Sequence, residues 1–245
     1  MRYIVAFIFI LASTFCDAQL QDSARTRLNT IKVNLMTSFI YANSGAISFE
    51  RVTKPNESWS ATIGYVQFPK LGRLGSGTTV SDKDNRGGYV IGGEYRFYLK
   101  KENKFQAPHG VFIGPYTNYF FFKNDRTLTS ADGLSQAVLD SKITVLNIGF
   151  QLGYQFVIKN RWTIDLIFLG PSVSRYNIGL DLTGDFDADT ILENEIVAAL
   201  ADRFPLIKDL ITDQSVNLNG TTSKWSGGFR YQVNVGYHFG RSKKR

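Results

Sequence analysis

The chain reads as an all-β protein: an eight-stranded antiparallel up-and-down transmembrane β-barrel with a short helical insertion in the last external loop. Three observations predict this. Apolar residues recur at every second position through most of the chain, which is the period of a strand and not of a helix. Several of these runs exceed the ~5–6 residues usual in soluble strands and reach the ~9–11 needed to cross a bilayer at a tilt. Aromatic residues gather at both ends of the apolar faces, where two membrane interfaces would lie.

Composition narrows the class. The chain has 245 residues, 43% hydrophobic and 20% charged, which excludes a fully disordered chain. One cysteine excludes an intrachain disulfide framework and a zinc site built on several thiolates. Two histidines leave little material for a His-rich metal centre, and no cofactor is expected. The net charge of +7 is scattered except for the tail Arg241-Ser242-Lys243-Lys244-Arg245. With no basic stripe interleaved with stacking aromatics, nucleic acid is not an expected partner.

Residues 1–18 read as a secretory signal peptide. Arg2 supplies the positive start, residues 4–11 form an apolar core too short to span a bilayer, and Ala18 is the small residue at the cleavage position. Cys16 raises a competing lipoprotein reading, which the bulky Phe15 before it disfavours. Residues 19–240 then form the barrel domain, and residues 241–245 a basic periplasmic tail.

The strands follow in order. Ile31, Val33, Leu35, Phe39 and Tyr41 share one face of the first, against Lys32, Asn34 and Ser38. Ile47 and Phe49 oppose Ser48 and Glu50 on the second. Trp59, Ala61, Ile63 and Tyr65 oppose Ser58, Ser60, Thr62 and Gly64 on the third. Tyr89, Ile91, Tyr95, Phe97 and Leu99 oppose Gly92, Glu94 and Arg96 on the fourth. The fifth, over residues 111–122, has aromatics on both faces; Gly110, Gly114 and Asn118 turn the set Phe112, Tyr116 and Phe120 inward. Leu146, Ile148, Phe150, Leu152, Tyr154 and Phe156 form the apolar face of the sixth. Trp162, Ile164, Leu166 and Phe168 do so on the seventh, against Thr163 and Asp165. On the eighth, Trp225, Phe229, Tyr231, Val233, Val235, Tyr237 and Phe239 oppose Arg230, Gln232, Asn234 and His238. Residues 173–182 also alternate, with Ile178, Leu180 and Leu182 on one side, and extend strand seven or add a hairpin.

The polar faces are rich in Gly, Ser, Asn and Gln, which suits a crowded narrow lumen. The apolar faces then meet lipid. The inward set carries Lys32, Glu50, Glu94, Arg96, Asp165, Arg230 and His238. Three cations, three anions and one histidine predict internal ion pairs that close the lumen. Candidate interface aromatics are Trp59, Trp162, Tyr237 and Phe239 at one end, with Tyr41, Tyr65, Tyr89, Phe121 and Trp225 at the other. Short turns at residues 53–57, 100–108 and 159–161 alternate with external connections that are tight at residues 42–45 and long at residues 69–87, 123–141 and 171–224, the asymmetry of a barrel with its short turns in the periplasm.

The pattern resembles the small bacterial outer-membrane barrels of the eight-stranded OmpA/OmpX-like class, and more narrowly an outer-membrane barrel family of unknown function. The final strand carries the most specific mark: Asn234-Val235-Gly236-Tyr237-His238-Phe239 fits polar, any, Gly, apolar, any, aromatic. That resemblance implies recognition by the barrel-assembly machinery and residence in outer-membrane lipid, although six residues follow Phe239.

No enzyme is expected. A hydrolase needs a nucleophile beside a base. His109 and His238 both map near the periplasmic rim, away from Ser223 and Ser226. Gly72-Arg73-Leu74-Gly75-Ser76-Gly77 lacks the following Lys-Ser/Thr of a phosphate loop. Residues 189–213 switch to helical spacing, with Leu192, Ile196, Leu200 and Phe204, and Pro205 splits the segment. This segment is the candidate site for an external partner. The expected role is structural or interactive, through the external loops. The alternatives are a barrel that binds or modifies a lipid or small ligand, and a soluble lipocalin-like barrel with its apolar faces inward.

Overall fold

Eight staves of one antiparallel sheet close on themselves. The computed structural model describes residues 27–41, 43–67, 79–80, 86–129, 136–184 and 219–240. Stave one is β1 (Asn29–Asn34) topped by the helix α1 (Leu35–Ile40). Staves two and three are β2 (Gly45–Lys54) and β3 (Glu57–Tyr65). The two-residue β4 (Thr79–Val80) only pairs with the far end of stave five. Staves four, five and six are β5 (Arg86–Tyr98), β6 (Gly110–Thr129) and β7 (Gln136–Ile158). Stave seven is β8 (Trp162–Leu169) continued by β9 (Pro171–Gly184). Stave eight is β10 (Asn219–Phe229) continued by β11 (Gln232–Phe239). β11 pairs with β1, with Phe239 opposite Asn29 and Asn234 opposite Asn34, which closes the ring.

The local sequence explains the turns. Lys159 and Asn160 both adopt positive φ (48° and 54°) at the centre of a turn that the Arg161 amide closes by donating to the Ile158 carbonyl at 3.0 Å, within the three-residue connection 159–161. Asn34 ends β1 by capping α1: its side-chain oxygen accepts from the Thr37 amide at 3.2 Å. This corrects the reading of residues 35–41 as strand. The consecutive apolar pair Leu35-Met36 breaks the two-residue period there, and the cap turns the chain into a helix.

The barrel is inside-out in its lower part and conventional in its upper part. On β7 the outward run Leu146, Ile148, Phe150, Leu152, Tyr154 and Phe156 is apolar, while Gly149, Gln151, Gly153 and Gln155 point inward. Ten residue steps at ~3.4 Å, tilted about 40°, make an apolar belt of roughly 26 Å, close to the ~25 Å band of transmembrane barrels. Beyond Leu146 the faces exchange character. Leu139, Ile143 and Val145 turn inward and are buried, while Asp140, Lys142 and Thr144 face out. β6 changes in the same way, from outward Ile113, Tyr119 and Phe121 to outward Lys123 and Asp125, which form an ion pair at 3.1 Å. Its inward residues there include Phe122 and Leu128, with Asn124 and Arg126 as the polar exceptions.

β9 takes the first of the two readings of residues 173–182, extending stave seven, and follows this upper rule: Tyr176, Ile178 and Leu180 are buried inside, and Gly179 and Asp181 face outward. The phase changes at Phe168-Leu169, both exposed, where a bulge shifts the register between Leu152 and Gly153 of β7. The connections expected at residues 123–141 and 171–224 are accordingly shorter, because β6, β7, β9 and β10 extend into them. The signal segment 1–18, the helical segment 189–213, the Gly72–Gly77 run and the tail 241–245 lie outside the described residues.

Candidate functional site

The strand parity brings six of the seven inward ionisable residues into one network across the lower lumen. Lys32 Nζ on β1 donates to Asp165 Oδ2 on β8 at 2.8 Å and to Glu50 Oε2 on β2 at 3.2 Å. Arg96 on β5 donates through Nη2 to the same Asp165 oxygen at 2.8 Å, through Nε to Glu94 Oε1 at 2.8 Å, and through Nη1 to Gln155 Oε1 at 2.8 Å. Its Nη1 also lies 3.8 Å from Glu50 Oε1. Arg230 Nη2 donates to Glu94 Oε2 at 3.0 Å. Lys32, Glu50, Arg96 and Asp165 are each no more than 1% exposed.

Removing such charges from water costs several kcal/mol per ion unless pairing is good and the remaining donors and acceptors are filled. Neutral groups do the filling. Ser58 Oγ and the Tyr98 hydroxyl donate to Glu50 Oε1 at 2.6 and 3.0 Å. Gln151 Nε2 donates to Glu94 Oε2 at 3.1 Å, and Asn234 Nδ2 to Asp165 Oδ2 at 3.2 Å. The Arg96 guanidinium sits 4.1 Å from the centre of the Phe112 ring, and that of Arg230 sits 4.7 Å from Tyr116. Sequence parity singles out the charges; these neutral partners share the same parity, and that is the signal available for them.

The network fills this level of the lumen with buried side chains. Below it, residues 99–109 fold in under the barrel. Ala107 is buried with Val52, Tyr98, Phe112 and Ile167, and its amide donates to the Pro55 carbonyl at 2.8 Å. Asn103 clamps this segment by donating to the Val111 carbonyl and accepting from the Val111 amide, both at 2.7 Å. His109 stacks on Phe105 at 4.6 Å, and burial holds its imidazole pKa below the usual histidine value. His238, the seventh inward ionisable residue, stands apart from the ion pairs, with Nδ1 2.9 Å from Thr30 Oγ1.

The aromatic girdles are placed as follows. Trp59, Trp162 and Tyr237 lie exposed on the outer face at the short-turn end, with Trp162 edge-on to Tyr237 at 5.5 Å; Phe239 beside them is half-buried. Tyr65, Tyr89 and Trp225 are exposed at the opposite end, and Phe121 stacks on Tyr89 at 5.2 Å. Tyr41 departs from the expected position. α1 carries it inward, where its ring lies 5.6 Å from Phe122 and 6.5 Å from Phe120. It lines a cavity of about 410 Å³ directly above the charge network, with Arg230 and Tyr116 in its lining.

Among the described residues no group of three or more His, Cys, Asp or Glu is arranged to hold a metal ion, and no helix is long and apolar enough to cross a membrane.

Together, fold and site define a small antiparallel β-barrel with a polar, ion-paired interior and an apolar outer belt. The chain belongs to the family described as "Protein of unknown function (DUF3575)", which it matches over residues 5–177. No curated protein matches it. Among solved structures it is similar to a major outer membrane protein from Thermus thermophilus, at 10% identity and a TM-score of 0.40, over 88% of this chain and 100% of that one.

Proposed function

We propose that the protein is a non-enzymatic outer-membrane β-barrel that acts through its outer-facing half, with a lumen closed to solute flow. One observation carries this reading: the outer face is apolar over a belt of roughly 26 Å and turns polar beyond it, while the interior does the reverse. In water, a face bearing Ile63 at 60% and Phe150 at 69% exposure would be a large uncovered apolar surface. In a bilayer it is matched to its solvent. A soluble lipocalin-like barrel would need the opposite arrangement at the level of Lys32 and Arg96.

On this reading residues 1–18 direct export and are removed, and the Asn234–Phe239 strand is read by the barrel-assembly machinery. The outer-membrane lipid contacts the belt, residues 189–213 offer the external partner site, and residues 241–245 stay in the periplasm. Cell fractionation with a heat-modifiability gel tests the location. The expected result is recovery with the outer membrane and faster migration of the unboiled sample. Recovery in the soluble periplasm contradicts it. Planar-bilayer recording tests the closure: no steady conductance is expected, and stable open-channel current contradicts a sealed lumen.

A further inference from the structure

The cavity above the charge network reaches the barrel wall at residues 228–232 of stave eight. Phe120, Val145 and Tyr176 line it from inside, yet Phe229 and Tyr231, which point outward at 47% and 62% exposure, line it as well. The wall has a physical reason to open here. β1 stops at Asn34, opposite Asn234, so residues 228–232 of stave eight face α1 where a paired strand would otherwise lie. A helix satisfies its own backbone and cannot continue a strand ladder. Met36, Thr37 and Ile40 of α1 form the other lip of the gap. Along stave eight, Tyr231 and Phe229 lie between Val235 and the girdle residue Trp225. On the outer-membrane reading, on which this inference rests, the gap therefore opens onto the outer half of the apolar belt.

The lining defines the chemistry of an occupant. Aromatic and aliphatic residues (Tyr41, Phe120, Phe122, Val145, Tyr176) line one part of the cavity and Asn, Ser and Thr side chains with Arg230 and Gln232 belong to the rest, and its volume lies within the ~300–1,000 Å³ range of small-ligand pockets. Arg230 is the one Lys, Arg, Asp or Glu among the described lining residues. Its Nε and Nη2 are engaged by Gln232 at 2.6 Å and Glu94 at 3.0 Å, and a guanidinium has five N–H groups in all. We propose that this cavity binds a single-chain amphiphile of the fatty-acid class. The chain enters from the outer half of the bilayer between α1 and residues 228–232, lies against Phe120 and Tyr176, and sets its carboxylate at Arg230.

The test is photo-crosslinking with a long-chain fatty acid bearing a diazirine near its chain end. The full-length barrel is refolded into phosphatidylcholine vesicles, and labelled peptides are mapped by mass spectrometry. Label on the inward residues Phe120, Phe122 or Tyr176 is expected, together with lipid-face label on Phe150. Val145→Trp fills the cavity without touching the ion pairs, and should abolish the inward label while leaving that on Phe150. Label confined to the outer face, or inward label that survives Val145→Trp, overturns the site. The matching fatty alcohol should label the inner wall several-fold less than the acid, and Arg230→Gln should reduce the acid to the alcohol's level. Equal labelling by acid and alcohol overturns the carboxylate assignment. Heat modifiability is read on each sample: an unboiled wild type that migrates with the boiled one contradicts the membrane-barrel reading itself, whereas a folded barrel without inward label contradicts only the cavity proposal.

Discussion

Lys32 on stave one and Asp165 on stave seven meet inside the barrel at 2.8 Å, across 133 positions of sequence. Stave eight lies between them, so the contact reaches past a neighbouring strand and ties the closure of the ring to its interior. Glu50 holds the same ammonium from the other side.

Lys32→Met leaves Glu50 and Asp165 buried with one cation fewer. Removing one partner of a buried ion pair costs about 3–5 kcal/mol, and that loss of stability is expected here. Lys32→Met with Asp165→Leu removes both charges and should recover part of it. Urea unfolding in vesicles, followed by the heat-modifiability shift, measures both variants. A neutral single variant would contradict the network as drawn.

Gly236, the glycine of the final-strand pattern, is also a packing requirement. A Cβ at this inward position would lie 2.7 Å from Lys32 Cγ and 2.6 Å from the Ile31 carbonyl oxygen. Gly236→Val should displace the Lys32 stem and destabilise the barrel by about 1–3 kcal/mol, the usual cost of overpacking. The unfolding midpoint checks this. Val235→Leu on the adjacent outward face should have little effect.

The level of the belt can be tested with single charges on β7. Phe150→Arg places a cation in the outward apolar run and should cost about 2–4 kcal/mol, whereas Thr144→Arg, beyond the run, should cost about 0–1 kcal/mol. Equal penalties at the two positions would remove the boundary inferred between Thr144 and Leu146.

His109 should make the short-turn end of the barrel acid-sensitive. Its folded pKa is depressed by burial, so the unfolded chain binds the proton more readily. Stability is therefore fully present above the unfolded value of about 6.5 and declines as pH falls through it toward the folded pKa. His109→Phe keeps a ring against Phe105 and removes the titration. Unfolding temperatures measured between about pH 7 and 5 should fall less for this variant than for the wild type.

The two-residue period exposes most of the fold because each strand fixes the side of every residue once the side of one is known. Lys32, Glu50, Glu94, Arg96, Asp165 and Arg230 are legible for that reason, while their pairings depend on register and on which staves become neighbours. Alternation misleads beyond Asn34 on stave one because a side-chain cap, a local hydrogen bond, overrides it there. It puts Ile178 and Leu180 on a common side but does not say which, because the bulge at Phe168-Leu169 changes the phase and because apolar means outward only within the belt. The cavity is not legible at all. It arises where a helix replaces the upper part of a strand, and alternation alone carries no trace of that gap.

The most direct test is cysteine labelling along β7 of the protein in native outer membranes. Each position from 138 to 156 would be substituted singly in a Cys16→Ser background and exposed to a membrane-impermeant maleimide and to a lipid-soluble one. Outward positions 140, 142 and 144 should react with the impermeant reagent. Outward positions 146, 148, 150, 152 and 154 should react only with the lipid-soluble one, and inward Gln151 and Gln155 with neither. Impermeant labelling throughout the outward positions would contradict a lipid-facing belt and the account built on it.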